Sequence, residues 1–517
     1  MFGFLKRTLN GQEMMHTPQN LLDVPLLYFD QYDPLTVANA CEGTHVFGGI
    51  GSGKTSGSGK ALAHAFLNAG MGGLVLTAKP DELATWQRYA EETGRSDDLL
   101  IFSPDHSHRF NFLNYESNRT GAGGGQTENI VALFMSVLEA SNRDGGNSGG
   151  DKFWQDATKQ LLRNAVDLLR LSQSDIVLSD IVKIINEAPK GAEDIFLNKN
   201  PQKSNPRFAQ TIVGQKIEII QNRKNNGELS PVDNNDFQQT FDYWIKNFPY
   251  IADRTRSSIT ATFLAMADMF LRGHLSQLFC TNTTLTPDIT FDPNNKIIVV
   301  ALPVKQWGQV GIVAQVLFKF MWQQAIERRQ VEPHTLPSFL WADEAHLFIT
   351  EYDQEFLTTA RSSRACMVYL TQNMPNYLAM LGGRDAQSRV DSLLGNFQTK
   401  IFHQNADSVT NTWAAELIGR NLQQRANYST SHNSGNNSGG SESDQGGSSS
   451  SGNNEGSSSS SGISEQVDYD IMPVEFSRLR KGSSVNNCLV DAIIHQGGRF
   501  WEQTGKSYLF TTFDQNA

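Results

Sequence analysis

Apolar residues in the first quarter of the chain fall in short unbroken runs: Thr44-His-Val-Phe47, Gly73-Leu-Val-Leu-Thr77 and Leu99-Leu-Ile-Phe102. Between the first two, Ala61 to Ala69 has helical spacing. Runs of four or five apolar residues bounded by polar turns predict strands buried on both faces, and their alternation with helices predicts a doubly wound α/β sheet over residues 40–115. The pattern then changes. Phe153-Trp154, Ala157, Leu161-Leu162, Ala165-Val166 and Leu168-Leu169 recur every three or four residues, and Ile212 to Ile220 and Ile259 to Leu271 continue in the same way. This predicts a helical insertion between about 120 and 275. Strand runs return at Lys296-Ile-Ile-Val-Val-Ala-Leu302, Phe339 to Ala342, Cys366 to Thr371 and Ser507-Tyr-Leu-Phe-Thr511, with a helix from about Gly308 to Arg329. Residues 429–464 are almost wholly Ser, Gly and Asn, too polar to offset their ordering entropy, which predicts a disordered loop interrupting a domain.

Composition narrows the classes. At 517 residues with 39% hydrophobic, the chain has room for two or three cored domains. A net charge of −11 excludes a global basic field, so any contact with DNA must be local. Cys41, Cys280, Cys366 and Cys488 are scattered without metal-ligand spacing, which fits a reducing compartment. No window approaches the ~20 apolar residues of a membrane span, and the N-terminus lacks the apolar core of a signal peptide. Met1-Phe-Gly-Phe-Leu-Lys-Arg7 reads as a frayed, apolar-then-basic terminus.

The first strand runs into Gly48-Gly49-Ile50-Gly51-Ser52-Gly53-Lys54-Thr55, a P-loop in the required order of strand, loop and helix. Its glycines let backbone N–H groups and the helix N-terminus close on phosphate oxygens. Lys54 is then placed to reach the β- and γ-phosphates of ATP, and the Thr55 hydroxyl to hold Mg2+. A bare Gly-rich turn with an exposed lysine is the competing reading, and the flanking elements argue against it.

Hydrolysis needs acids as well, and Leu336-Pro-Ser-Phe-Leu-Trp-Ala-Asp343-Glu344 delivers two at the C-terminal end of a buried strand, where ligands of parallel sheets bind. Asp343 is the candidate for hydrated Mg2+ and Glu344 for the general base; an acidic helix cap is the competing reading. The next strand ends in Gln372, a candidate γ-phosphate sensor. Arg361 and Arg364 precede that strand, and either could offer a guanidinium across a subunit boundary, although a single such arginine is more often a solvated charge.

The order of these motifs resembles the type IV secretion system coupling proteins, the TraD/TraG-like conjugative DNA-transfer ATPases of the HerA/FtsK clade. The likeness includes Lys79-Pro-Asp-Glu82, Phe110-Asn111 with Leu113, Phe153-Trp154, Asp407 to Gly419 and Val474-Glu-Phe-Ser-Arg-Leu-Arg-Lys-Gly482, and it spans about residues 40–512. The resemblance implies a RecA-like P-loop motor domain (40–115 and 276–517) carrying an inserted all-α domain (116–275); the N-terminal segment (1–39) shows no transmembrane helix in its sequence. It implies a hexameric homo-oligomer with nucleotide between subunits, and Arg361 matches the family's arginine finger better than Arg364. The implied partners are single- or double-stranded DNA, a relaxase or other DNA-processing protein, and secretion-channel components. Three departures stand out: the family's usual membrane segment is missing, the Ser/Gly loop is unusually long, and Lys79-Pro-Asp-Glu82 replaces the commoner Lys-Gly-Glu.

The expected function is therefore an ATP-driven DNA translocase in conjugation, cytoplasmic or peripheral at the inner face of the membrane. A soluble HerA-like DNA motor of defence, repair or phage biology is one alternative. A nucleotide-gated adaptor for protein cargo is another.

Overall fold

The computed structural model describes residues 20–121, 123–141, 152–200, 202–437 and 452–516. Met1 to Arg7 lies outside them. Nine strands form one sheet in the order β13-β12-β9-β3-β8-β7-β4-β6-β5. They are β3 (Thr44–Phe47), β4 (Gly72–Leu76), β5 (Leu99–Phe102), β6 (Ile297–Val300), β7 (Ser338–Ala342), β8 (Ala365–Thr371), β9 (Thr399–Phe402), β12 (Leu489–Gln496) and β13 (Tyr508–Asp514). From β9 to β5 every pairing is parallel, while β12 and β13 extend the sheet antiparallel. A short antiparallel pair, β1 (Pro25–Tyr28) and β2 (Pro34–Thr36), lies outside the sheet.

Each strand's alternation divides its side chains between two cores. Phe47, Leu74 and Leu76 join one cluster, whereas Val46 and Val75 join the other with Leu62, Phe66 and Trp86 of the flanking helices. All four residues of β6 are fully buried, each contributing roughly 1.5–3 kcal/mol of apolar burial. The architecture is the doubly wound α/β expected from the unbroken apolar runs.

Between β5 and β6 the described elements are helical, among them Thr127–Ser141, Lys152–Leu171, Ile212–Asn225, Pro231–Asp242 and Asp253–Leu271. Lys152–Leu171 buries Leu161, Leu162, Ala165, Val166, Leu168 and Leu169 along one face, as its spacing predicts. Starts are capped: Thr211 accepts from Gly214 N–H, and Ser230, followed by Pro231, accepts from Asp233 N–H. These helices share the first cluster with the sheet and with the Val304–Arg328 helix, whose Gln309 donates to Ala140 O at 2.7 Å.

The Ser/Gly-rich segment differs from its expectation. Arg420–Asn437 (β10) and Gly452–Tyr469 (β11) pair antiparallel as a separate two-stranded ribbon, so both flanks of the 429–464 stretch are laddered; residues 438–451 lie outside the described ones. A ladder needs only backbone N–H and C=O groups, which Ser, Gly and Asn supply without an apolar face. Its base is held by Arg420, stacked 4.4 Å from the Tyr469 ring. Among the described residues no helix is long and apolar enough to cross a membrane.

Candidate nucleotide site

The P-loop leaves β3 at the C-terminal edge of the parallel strands and turns through Gly51 and Gly53, with φ of 67° and 87°. Only glycine fits at Gly53, because a Cβ there would meet Val490 Cγ2 of β12 at 2.6 Å. The loop is held from behind: Gly48 N–H donates to Thr371 O at 3.2 Å and Gly49 N–H to Gln404 O at 2.8 Å. Ser58, one turn on, shares a 2.7 Å hydrogen bond with His403. Ile50 sits at the tip, 81% exposed.

Three strands bring the remaining chemistry to this loop. Asp343 and Glu344 emerge from β7, both buried, and the Thr55 hydroxyl donates to Asp343 Oδ2 at 3.0 Å. Glu344 has φ of 51°, a left-handed conformation costing of order 1–2 kcal/mol in a non-glycine residue, and its N–H donates to Asp343 Oδ1 at 2.9 Å. From the end of β8, Gln372 Nε2 donates to Glu344 Oε1 at 3.1 Å, and Asn405 beyond β9 fixes Gln372 by donating to its carbonyl at 2.8 Å. Lys54 Nζ stands 3.9 Å from Glu344 Oε1.

The cation nearest both acids is Lys79, 3.4 Å from Asp343 and 3.3 Å from Glu344. Burial opposes its charge, but the two carboxylates outweigh that and hold the ammonium above the usual lysine range. Burial would likewise raise the Glu344 carboxyl, but Lys54 and Lys79, with Gln372 and His346, hold it below the ordinary glutamate range. Glu344 is thus kept ionised, as a proton acceptor must be. Glu82, in the same Lys-Pro-Asp-Glu turn, is pushed well above the ordinary range by burial and then by Asp343; its Oε2 accepts from Ala78 N–H at 2.8 Å.

The two candidate arginines separate clearly. Arg364 is buried, with φ of 51°, and its guanidinium donates to the Thr335 and Pro333 carbonyls, so it is committed to the fold. Arg361 is 67% exposed at its side chain, with one ion pair to Glu42 at 3.3 Å. Within the chain it stays outside the cluster of Lys54, Thr55, Asp343, Glu344 and Gln372. Sequence reasoning passed over β9 and β12, along with Gln404, Asn405, His346 and Val490. Lys79 entered it only as part of a resemblance.

The donor set suits ATP and Mg2+. A hydroxyl and a carboxylate 3.0 Å apart at a P-loop form the hard-oxygen pair that Mg2+ favours, and the buried Ser52 Oγ and Glu344 Oε2 have no hydrogen-bond partner among the described residues. Residues 338–475, which contain both acids, Arg361 and Gln372, match the family described as the TraM recognition site of TraD and TraG. Over that segment the chain is similar to TraD and TraG. Its structure is also similar to that of the bacterial conjugative coupling protein TrwBΔN70 in an unbound monoclinic form, at 13% identity and a TM-score of 0.57, covering 93% of this chain and 86% of that one. Plasmid coupling protein TrwB with the GTP analogue GDPNP gives 12% identity and 0.58 over 93% and 88%; TrwB with ADP and Mg2+ gives 12% and 0.55 over 93% and 87%. No curated protein matches the chain. The chain therefore has the RecA-like P-loop fold with a helical domain, the fold class expected from its sequence.

Proposed function

We propose that this chain is the coupling ATPase of a conjugative transfer system, an ATP-driven motor that recruits a DNA-processing protein such as a relaxase and pumps DNA toward a type IV secretion channel. The observation that carries this reading is the cluster of Thr55, Asp343, Glu344 and Gln372 at the P-loop, whose Asp343, Glu344 and Gln372 come from the segment that matches the TraD and TraG family. In this reading Lys54 and the loop amides bind the β- and γ-phosphates, Gln372 orients Glu344, and Glu344 takes the proton of the attacking water. Thr55 and Asp343 hold Mg2+, which supplies charge neutralisation on the phosphate oxygens. Arg361 is offered to the site of a neighbouring subunit in a ring of six. The motor comprises residues 40–115 and 276–517, residues 116–275 form the domain that meets DNA or its processing proteins, and the protein works in the cytoplasm or at the inner membrane face.

Hydrolysis by the purified protein is expected to rise when single-stranded or duplex DNA is added, to rise further with protein concentration, and to disappear in Lys54→Ala. Persistence in Lys54→Ala would move the active site elsewhere, and indifference to DNA would favour a protein-cargo adaptor. A second variant separates binding from chemistry. Glu344→Gln is expected to bind nucleotide like the parent and to hydrolyse it about 10²–10⁴-fold more slowly. An unchanged kcat would remove Glu344 from proton transfer.

A further inference from the structure

On the sheet face away from the P-loop helix, His45 of β3, Lys400 of β9 and His495 of β12 stand opposite one another in register, three basic side chains in a row. His45 is closed off, stacked on Phe47 and hydrogen-bonded through Nε2 to the Tyr377 hydroxyl at 2.8 Å. Lys400 is different. It is 5% exposed and donates to the Phe397 carbonyl, and among the described residues no carboxylate pairs with it. Burial alone draws its ammonium down to about 8. His495 donates from Nδ1 to Ser507 O at 3.0 Å, and burial holds its imidazole below the ordinary range, so Nε2 of the neutral ring is an acceptor and Lys400 is the donor for an anion.

Lys400 and His495 line a cavity of about 450 Å³, within the range of small-ligand sites. Trp413 and Leu417 give it an apolar wall, and Gln398 adds an amide. Its only acid, Asp391, is exposed and accepts from Gln387, and it adds nothing to the Lys400 shift. A buried ammonium without a counter-charge is costly, and a ligand carboxylate would supply what the fold omits. Asp391 at the exposed side disfavours a second negative charge there.

We infer that this cavity is a binding site for a monocarboxylate carried on an apolar or aromatic body, seated with its carboxylate on Lys400 and its body along Trp413 and Leu417. That chemistry belongs equally to a free organic acid and to the C-terminal residue of a polypeptide. The site stands on the far side of β9 from the helix that follows the P-loop, so it is independent of the ATPase reading.

Calorimetric titration of the full chain tests it with N-acetylphenylalanine, with a short Gly/Ser peptide ending in phenylalanine, and with the C-terminal amide of each. Saturable binding of the acids but not the amides is expected, reduced about tenfold or more in Lys400→Met. Tighter binding of the acid peptide than of N-acetylphenylalanine would assign a polypeptide terminus, and the reverse a small acid. Leu417→Trp, which fills the cavity and keeps Lys400, is expected to block both; it carries the test if Lys400→Met fails to fold. Equal binding of acid and amide, undiminished binding in either folded variant, or no binding of any probe at millimolar concentration would overturn the inference.

Discussion

Arg361→Ala is expected to lower kcat by about 10³-fold or more, the scale on which an arginine supplied to a phosphoryl-transfer site acts, while leaving the unfolding midpoint unchanged. The side chain is largely exposed and its ion pair with Glu42 is a surface one, so the fold loses about 0–1 kcal/mol with it. Arg364→Ala should do the reverse, destabilising the protein by stripping the Thr335 and Pro333 carbonyls of their donors. A mixing experiment separates a guanidinium given in trans from one acting within its own subunit. Arg361→Ala and Lys54→Ala are each inactive alone, but in a mixed ring a Lys54→Ala subunit can lend Arg361 to a neighbour whose own P-loop is intact. Partial recovery on mixing is expected; none, or a kcat unaffected by Arg361→Ala, would end its assignment as the finger.

The largest loss of stability is expected from Lys319→Met. Lys319 and Asp353 are both wholly buried and paired, and the pair is enclosed by donors: Gln323 at 2.8 Å, Tyr369 at 3.0 Å and Thr350 N–H at 2.7 Å all give to Asp353, while Lys319 also gives to Phe348 O at 2.7 Å. Removing one partner strands a carboxylate in the core, at about 3–5 kcal/mol. The urea midpoint should fall accordingly with the slope unchanged, and a loss below about 1 kcal/mol would refute this account. Burial would raise the Asp353 carboxyl, yet Lys319 and these hydrogen bonds hold it below the ordinary aspartate range. A depressed carboxylate stabilises the fold above its unfolded pKa and loses that contribution as pH falls through its folded one. The parent should therefore weaken progressively below about pH 4, and Lys319→Met should lose most of that dependence. Tyr369 lies on β8, which leads into Gln372, so the pair also anchors the element presenting the candidate sensor.

Much of this was legible in the sequence because the parallel strands are buried on both faces. β3, β7 and β8 are buried along their whole length, and their ends carry the loop, the two acids and Gln372. β9 and β12 were not legible. Thr399-Lys-Ile-Phe402 is four residues with a lysine inside, and its place in the sheet is fixed by pairing with β3, about 350 residues earlier in the chain. Lys79 gave no signal of its own either, since its relation to Asp343 and Glu344 exists only once β4 and β7 are paired. Arg361 and Arg364 were equivalent until the left-handed turn at Arg364 spent that guanidinium on carbonyls.

The contact of Val490 with Gly53, and the support of Gly49 by Gln404, set the order in which a nascent chain can become competent. The phosphate loop is synthesised before the surfaces it rests against, which follow it in the chain by more than 340 residues. A growing chain can build its helical domain long before it can hold a nucleotide.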